Sequence, residues 1–290
     1  MKRAVPLAVL VAAGVLAAGC SGDAEPKAGT SPSRQAASPP PAPAPATVGA
    51  VTLPDDPAGL VTTVGRQIKA ARSFHVQLVS TGTDGSAVRA DGDVRTDTAT
   101  PSALLKVSDG GTTHAVLLDG VIYVRNEGEE VEPGRPWARL ARKDIGAVRP
   151  SGDPGPQISK QADDLEKTLR TLLDGVDEAF REITADTGLA LVRSGSLTKK
   201  PVKDRVNGQD ARRYDGTTAS GAVGGDPALK ALDSGGIDKL PWSLWVDDKG
   251  LPQKFTVSMA GKARLEATYT RWGTPVTIQA PPANQVAGIR

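Results

Sequence analysis

Cysteine and aromatic residues are scarce in this chain. Cys20 is the only cysteine among 290 residues, and Phe, Trp and Tyr together make up 3% of the sequence. A single cysteine excludes an internal disulfide and a cysteine-based metal cluster, so a folded domain must be stabilised by its core. The chain has two histidines, His75 and His114, and each alternates with apolar residues. We interpret both as surface or cross-strand residues and expect no metal site.

An excess of charge of either sign is also lacking. The chain has 35 Lys and Arg against 33 Asp and Glu. Residues 1–19 contain two basic residues and no acidic one, so the rest of the chain is formally neutral, with 33 of each sign. Binding to nucleic acid calls for a basic face, and electrostatic binding to anionic headgroups calls for a basic segment. The balance of charge argues against both.

Signatures of catalysis are missing as well. The sequence has no Gly-x-Ser-x-Gly elbow and no His-Glu-x-x-His motif, and Ala263 follows Gly261-Lys262 where a phosphate loop needs Ser or Thr. The glutamates within 127–132, or Asp91 with Asp93, have oxygen atoms suited to calcium. The first group is equally typical of a solvated loop, and the second lacks the remaining ligands. We therefore expect a binding protein rather than an enzyme, with no cofactor.

The N-terminus has the organisation of an export signal. Lys2 and Arg3 precede an apolar run over 4–19, which is shorter than the ~20 residues that span a bilayer. The run ends at Cys20 in Leu-Ala-Ala-Gly-Cys, which resembles the lipobox of bacterial lipoproteins, although Ala17 stands where Leu is usual. This predicts a signal peptide over 1–19, lipid on Cys20, and a domain held at the extracytoplasmic face of the cell membrane. An ordinary signal peptide is the alternative.

A linker and a single domain are predicted to follow. Residues 20–54 are dominated by Ala, Pro, Ser and Gly, with Pro-Pro-Pro-Ala-Pro-Ala-Pro at 39–45. Such a composition cannot bury a core and favours extended backbone, so we interpret it as a tether. A proline-rich ligand for a partner domain is the sharper alternative. Residues 55–290 are long enough for one core, and no solenoid repeat is evident.

Local patterns in the domain predict an α+β fold. Asp56-Pro57 is suited to begin a helix that runs to about 71, and apolar residues recur at helical spacing over 165–183. Asp119-Gly120 and Asn207-Gly208 are typical two-residue hairpin turns. Clean alternation along the strands favours one large antiparallel sheet with helices packed on one face. Strands are predicted at 73–78, 86–98, 103–107, 113–118, 121–125, 197–205, 210–217, 243–247, 255–259, 264–269 and 276–278, and a short helix at Asp226.

The order of these motifs resembles the LppX/LprG-type mycobacterial lipoproteins, which share the fold of the lipoprotein carrier LolA. The resemblance covers most of 57–282. It rests on the order and spacing of seven stretches: Asp119–Tyr123, Trp137, Asp186–Ala190, Val206–Asp210, Leu244–Gly250, Trp272–Val276 and Ala280–Pro282. It implies a curved half-barrel sheet around helices, with an apolar cavity that binds lipids or lipidated molecules for carriage through the cell envelope.

The first functional hypothesis is therefore a lipid-binding lipoprotein. Acyl chains would be buried between the concave sheet face and the helices, because each buried CH₂ contributes about 0.8 kcal/mol. Ordinary core packing explains each candidate lining residue equally well. The candidates are Phe74, Val76, Leu78, Ile122, Leu244, Val246, Phe255 and Val257 from the sheet, and Leu172, Val176 and Phe180 from the helix.

The second hypothesis is a protein-interaction or envelope-sensing lipoprotein on the same fold, with its cavity closed by side chains. The polar strand 86–98 and the acidic loop 127–132 would then form the interface with an envelope protein. An open apolar cavity is the feature that distinguishes the first hypothesis from the second.

Overall fold

The computed structural model describes residues 45–98, 100–141, 186–219, 222, 238–258 and 263–287. Structural statements below concern these residues. The signal peptide, Cys20, most of the linker, the helix predicted over 165–183 with its candidates Leu172, Val176 and Phe180, and the helix predicted at Asp226 all lie outside them.

The described residues form a sheet of thirteen strands and two α-helices. The helices are α1 (Pro57–Ala71) and α2 (Asp186–Ser194). The strands are β1 (Ser73–Thr81), β2 (Ala87–Arg95), β3 (Ser102–Ser108), β4 (Thr112–Leu118), β5 (Val121–Asn126), β6 (Trp137–Ala141), β7 (Ser196–Leu197), β8 (Val202–Val206), β9 (Gln209–Ala219), β10 (Lys239–Val246), β11 (Pro252–Ser258), β12 (Arg264–Thr270) and β13 (Val286–Ala287).

The sheet is one open, curved layer. Its order is β13-β6-β5-β4-β3-β2-β1-β12-β11-β10-β9-β7, with β8 also paired to β9. Each pairing is antiparallel except that of β13 with β6. Residues of α1 and α2 share one core with strands from the middle of this sheet. The predicted fold class, a large antiparallel sheet with helices on one face, is therefore confirmed.

Helix α1 begins and ends where its sequence dictates. The Asp56 carboxylate accepts a hydrogen bond from Gly59 N at 2.7 Å, and Pro57 occupies the first turn, as predicted. The helix ends at Arg72, whose φ of 67° lies in the left-handed region. Between the caps, Leu60 and Val64 are fully buried, because they lie on the face that packs on the sheet.

Both predicted two-residue hairpin turns are present. Asp119-Gly120 joins β4 to β5 with φ values of 53° and 72°, and Asn207-Gly208 joins β8 to β9 with 52° and 79°. Positive φ at both central residues matches the right-handed twist of the flanking strands. These turns fix the register on either side, so they also decide which residues of β4, β5, β8 and β9 lie on each face of the sheet.

Three local predictions differ from the structure. The strand predicted over 197–205 is divided into β7 and β8, with Pro201 between them, because proline cannot donate to a sheet hydrogen bond. Helix α2 covers Asp186–Ser194 of the described residues, where no helix was predicted. The prediction of a strand over 276–278 is wrong. Residues 271–282 form no strand.

The C-terminal segment instead crosses the face of the sheet opposite the helices. Ser73 Oγ donates to Thr274 O at 2.6 Å, at the start of this crossing. Ile278 is buried against Val116 and Trp137. The chain then reaches the far edge of the sheet, where β13 pairs with β6. We call this face the outer face, and the face packed on α1 and α2 the inner face.

The end of the predicted linker is part of the folded unit. Ala46 N donates to Gly273 O at 3.1 Å and Val51 N to Asp248 O at 2.9 Å. Tyr214 donates its hydroxyl to Pro54 O at 3.0 Å. Residues 46–54 therefore lie along one end of β9–β12, which we call the tether end. No helix of the described residues has the length and apolar character to cross a bilayer.

Candidate functional site

The inner face of the sheet collects the candidates predicted from the sequence. Residues paired across neighbouring strands share a face, so the register can be followed from strand to strand. One row runs across six strands as Phe74, Val94, Ala103, Leu117, Ile122 and Leu140. A second row runs from Leu78 through Ala267, Phe255 and Leu244 to Tyr214. Alternation along β1, β10 and β11 adds Val76, Val246 and Val257 to the same face.

Seven of these candidates lie in the part of the sheet that packs on the helices. This part, β1–β3 with β9–β12, is called the helix half below. Phe74 and Val76 have an exposed fraction of 0%, and both belong to one cluster with Leu60 of α1 and Val192 of α2. Leu78, Leu244, Val246, Phe255 and Val257 belong to the same cluster. Side chains of this chain fill the space that faces them.

Aromatic side chains consolidate the helix half. The ring centroid of Phe74 lies 4.7 Å from that of Trp272 and 5.8 Å from that of Tyr269, the latter edge-on. Burial raises the pKa of Tyr214 to about 12, and its ring lies 5.6 Å from the Arg212 guanidinium. Five aromatic residues, Phe74, Tyr214, Trp242, Phe255 and Tyr269, are thus buried in the core that the helices share with the sheet.

Ile122 lies apart from the other candidates. It is 3% exposed, and its own cluster contains Leu117, Val124 and Leu140, which are only partly buried. No residue of α1 or α2 belongs to this cluster. The strands that carry it, β4–β6 with β13, form the far half of the sheet. Leu117 also packs against the main core, so it marks the boundary between the two halves.

Sequence reasoning missed Leu117, Val124 and Leu140. The signal was available in part, because the Asp119-Gly120 turn places Leu117 opposite Ile122, and β4 and β5 alternate from there. That Leu140 completes the row could not be read from the sequence, since the pairing of β5 with β6 crosses a long loop. The inner face of the far half therefore carries an apolar row, and the candidate set contained only Ile122 of it.

The inner face of the far half has a polar border at one end. Thr113 Oγ1 donates to Asn126 Oδ1 at 2.9 Å, and Asn126 Nδ2 donates to Glu129 Oε2 at 2.8 Å. Glu132 pairs with Arg135 at 3.2 Å. The acidic loop 127–132 thus begins at the end of the apolar inner face. Two of its carboxylates, those of Glu129 and Glu132, are engaged by Asn126 and Arg135.

The outer face of the helix half carries paired charges. Trp245 lies between Arg213 and Lys254, whose charged groups are 6.0 and 5.8 Å from its ring. Its Nε1 donates to Asp204 Oδ2 at 3.0 Å, and this bond is the main cause that holds the pKa of Asp204 below its usual range. Arg213 also pairs with Asp204 at 3.0 Å. In the helix half, the inner face is therefore apolar and the outer face is charged.

Both histidines lie on the outer face, as cross-strand residues. Nδ1 of His75 lies 2.8 Å from Asp93 Oδ1 and its Nε2 3.3 Å from Asp91 Oδ2, and β2 supplies both aspartates opposite β1. Burial lowers the pKa of His114. Within the described ranges, no group of three or more His, Cys, Asp or Glu side chains is arranged to hold a metal ion. The cross-strand interpretation of His75 is confirmed.

Comparison with known proteins finds similar solved structures. No protein-family model and no curated protein matches the chain. LprF from Mycobacterium bovis is similar, with TM-score 0.47 and 16% identity over 78% of this chain and 96% of that one. The Mycobacterium tuberculosis lipoprotein LppX gives TM-score 0.46 and 14% identity over 77% of this chain and 98% of that one. MucB in complex with MucA gives TM-score 0.36 and 16% identity over 81% of this chain and 60% of that one.

The predicted resemblance to LppX/LprG-type lipoproteins is confirmed. At these identities the similarity concerns the fold alone, and no ligand or residue role is carried over from it. That the candidates line a lipid cavity stays a prediction, because their burial is equally that of a core.

Proposed function

We propose that this chain is a lipoprotein of the cell envelope that binds acyl chains on the inner face of its sheet. The observation that supports this is the far half, where Leu117, Val124 and Leu140 continue an apolar row but are only partly buried. Each CH₂ transferred from water onto such a surface contributes about 0.8 kcal/mol. A single long chain therefore binds well without polar contacts. In this proposal the protein binds its ligand and catalyses no reaction.

The anchor in this proposal is Cys20. Lipid on its thiol would hold the domain at the extracytoplasmic face of the cell membrane, and residues up to about 45 would give it reach. Two acyl chains anchor stably, whereas one chain is marginal. Full-length protein should partition with membranes and carry a diacylglyceryl mass on its N-terminal peptide. Cys20→Ser should abolish the diacylglyceryl mass, and a parent protein whose N-terminal peptide lacks that mass would contradict the lipid anchor.

Ligand binding is tested by native mass spectrometry on residues 20–290 carrying Cys20→Ser, so that anchor lipid does not interfere. We expect adducts in the mass range of membrane lipids, released on denaturation and identified after extraction. A bare protein mass, together with no uptake of a fluorescent fatty acid or phospholipid, would overturn lipid binding. The protein-interaction hypothesis, with the acidic loop and β2 as its interface, would then be preferred.

A pair of matched variants locates the ligand. Val124→Ser with Leu140→Ser introduces hydroxyl groups on the inner face of the far half, so we expect at least tenfold weaker uptake of the fluorescent fatty acid. Leu104→Ser makes the same kind of change on the outer face, where Leu104 is 41% exposed, and should leave uptake unchanged. Equal loss in both variants would place the ligand elsewhere.

A further inference from the structure

A pocket of about 320 Å³ lies at the tether end, away from the far half. Three turns and the N-terminal segment enclose it: the β8–β9 turn, the β10–β11 turn, the residues after β12, and Ala46 with Val48. Its volume falls within the range of roughly 300–1,000 Å³ that is typical of small-molecule sites. The apolar row of the proposed lipid site contributes no residue to it.

The floor of this pocket is held in place by a half-buried carboxylate. Asp247 accepts hydrogen bonds from Lys249 N at 3.0 Å, Leu251 N at 2.8 Å and Gln253 Nε2 at 3.0 Å. Gln253 has an exposed fraction of 5%. Trp272 forms a wall, and its Nε1 is fixed by a 3.0 Å bond to Pro252 O. These groups are therefore positioned before any ligand arrives.

Other polar groups of the pocket are free. The side chains of Asn207, Gln209 and Lys249 are exposed and make no hydrogen bond or ion pair within the described part of the chain. Arg271, by contrast, is engaged, because its Nη2 donates to Asp93 Oδ1 at 2.7 Å. Two amides and one ammonium group are thus available to bind a ligand. The carboxylate of Asp247 in the floor balances the positive charge of Lys249.

These free groups define the chemistry of the ligand. A carboxamide offers two N–H donors and a carbonyl acceptor, and a hydroxyl group both donates and accepts, so several hydroxyl groups suit several amides. Lys249 and Asp247 oppose each other in charge, which favours an uncharged ligand over an anion or a cation. The indole of Trp272, with Val48, gives an apolar surface for C–H groups. We propose that this pocket binds an uncharged polyol, such as one or two sugar units of a glycan.

The position of the pocket gives this binding a consequence. Ala46 and Val48 belong to the segment that leads to the tether, and Ala46 is held by Gly273 at 3.1 Å. A sugar bound here would therefore join the segment to the turns of β9–β12. This site would hold the domain on a glycan while the inner face remains free. Its existence does not depend on the lipid site.

The test uses the chain from residue 20 with Cys20→Ser, and measures binding of maltose, cellobiose, mannobiose and chitobiose by saturation-transfer NMR. A second arm measures co-sedimentation with insoluble peptidoglycan and with insoluble cellulose. We expect at least one probe to bind in one of the two arms. Gln209→Ala with Lys249→Ala removes two free polar groups, neither of which supports the fold, and should weaken that binding about fivefold or more.

Gln285→Ala is the matched control. Gln285 is also an exposed amide, but it lies in the 3₁₀ turn Ala283–Gln285 at the other edge of the sheet. Its removal should leave binding unchanged, and both variants should keep the melting temperature of the parent protein. Absence of binding to every probe, or equal binding by the double variant and the control, would overturn the proposal.

Discussion

The helix half and the far half of the sheet have the same alternating pattern but different packing. In the helix half, Phe74 and Val76 are fully buried under residues of α1 and α2. In the far half, Val124 and Leu140 occupy equivalent inward positions and remain partly exposed. An inward apolar residue of a strand is therefore part of the core or, in the proposed function, part of a binding surface, according to what packs on it. The two roles differ in a measurable way, since loss of core lowers stability and loss of binding surface lowers ligand uptake.

The largest effect is expected for Phe74→Ala. Removal of a fully buried aromatic ring that packs on Tyr269 and Trp272 should lower the free energy of unfolding by about 3–5 kcal/mol, measured by denaturant titration. Leu104→Ala, on the exposed outer face, should change it by about 0.5 kcal/mol or less. A small loss of stability together with a large loss of lipid uptake would show that Phe74 belongs to the proposed binding surface and not to the core.

The next effect is a dependence on pH that Tyr214 confers on the helix half. Its pKa rises from 10.0 to about 12 in the folded protein, mainly through burial. The folded state therefore keeps a proton that the unfolded chain loses, so the free energy of unfolding falls as pH rises from 10 toward 12. The fall should be roughly 2 kcal/mol.

Tyr214→Phe isolates this contribution. The variant should lose about 1 kcal/mol below pH 9, because the hydrogen bond to Pro54 O is absent. Between pH 10 and 12 its stability should decline less steeply than that of the parent protein. Parallel declines in denaturant titrations would show that Tyr214 is more accessible to water than its burial indicates.

A smaller effect on stability is expected for Leu117→Ala, at the boundary between the halves. Leu117 packs against both the main core and the Ile122 cluster, but it is only partly buried. We expect a loss of about 1–2 kcal/mol, less than for a buried leucine, and also weaker uptake of fluorescent fatty acid. Substitution of a residue wholly within the core would change stability alone. Unchanged uptake in Leu117→Ala would therefore assign Leu117 to the helix half and place the boundary nearer to β5.

Sequence reasoning succeeded where the determinants are local. Asp56-Pro57, Asp119-Gly120 and Asn207-Gly208 each specify a cap or a turn within four residues, and each is found as predicted. The fold class followed from the alternation between them. The register across β1, β10 and β11 then placed seven candidates on one face.

The same reasoning could not separate the two halves. Alternation identifies the inward residues of a strand, but the residue that covers them comes from a distant part of the chain. Ser73 and Thr274, which begin the crossing of the outer face, are 201 residues apart in sequence. The segment at 276–278 looked like a strand because Val276 and Ile278 alternate. In the structure Val276 and Ile278 instead pack in one cluster with Val116, and their segment pairs with no neighbouring strand.

The smallest effect comes from one matched pair of turns and tests whether the halves unfold together. Gly120 and Gly208 both have positive φ, and an added Cβ would meet nothing within 4 Å at either. Alanine therefore costs backbone strain alone, about 1 kcal/mol at each turn. If the far half opens before the rest unfolds, Gly120→Ala should accelerate amide exchange in β5 and β6 about fivefold. Gly208→Ala should leave those amides unchanged, because its strain persists in the partly open state. Equal acceleration of all protected amides by both substitutions would instead show one cooperative sheet.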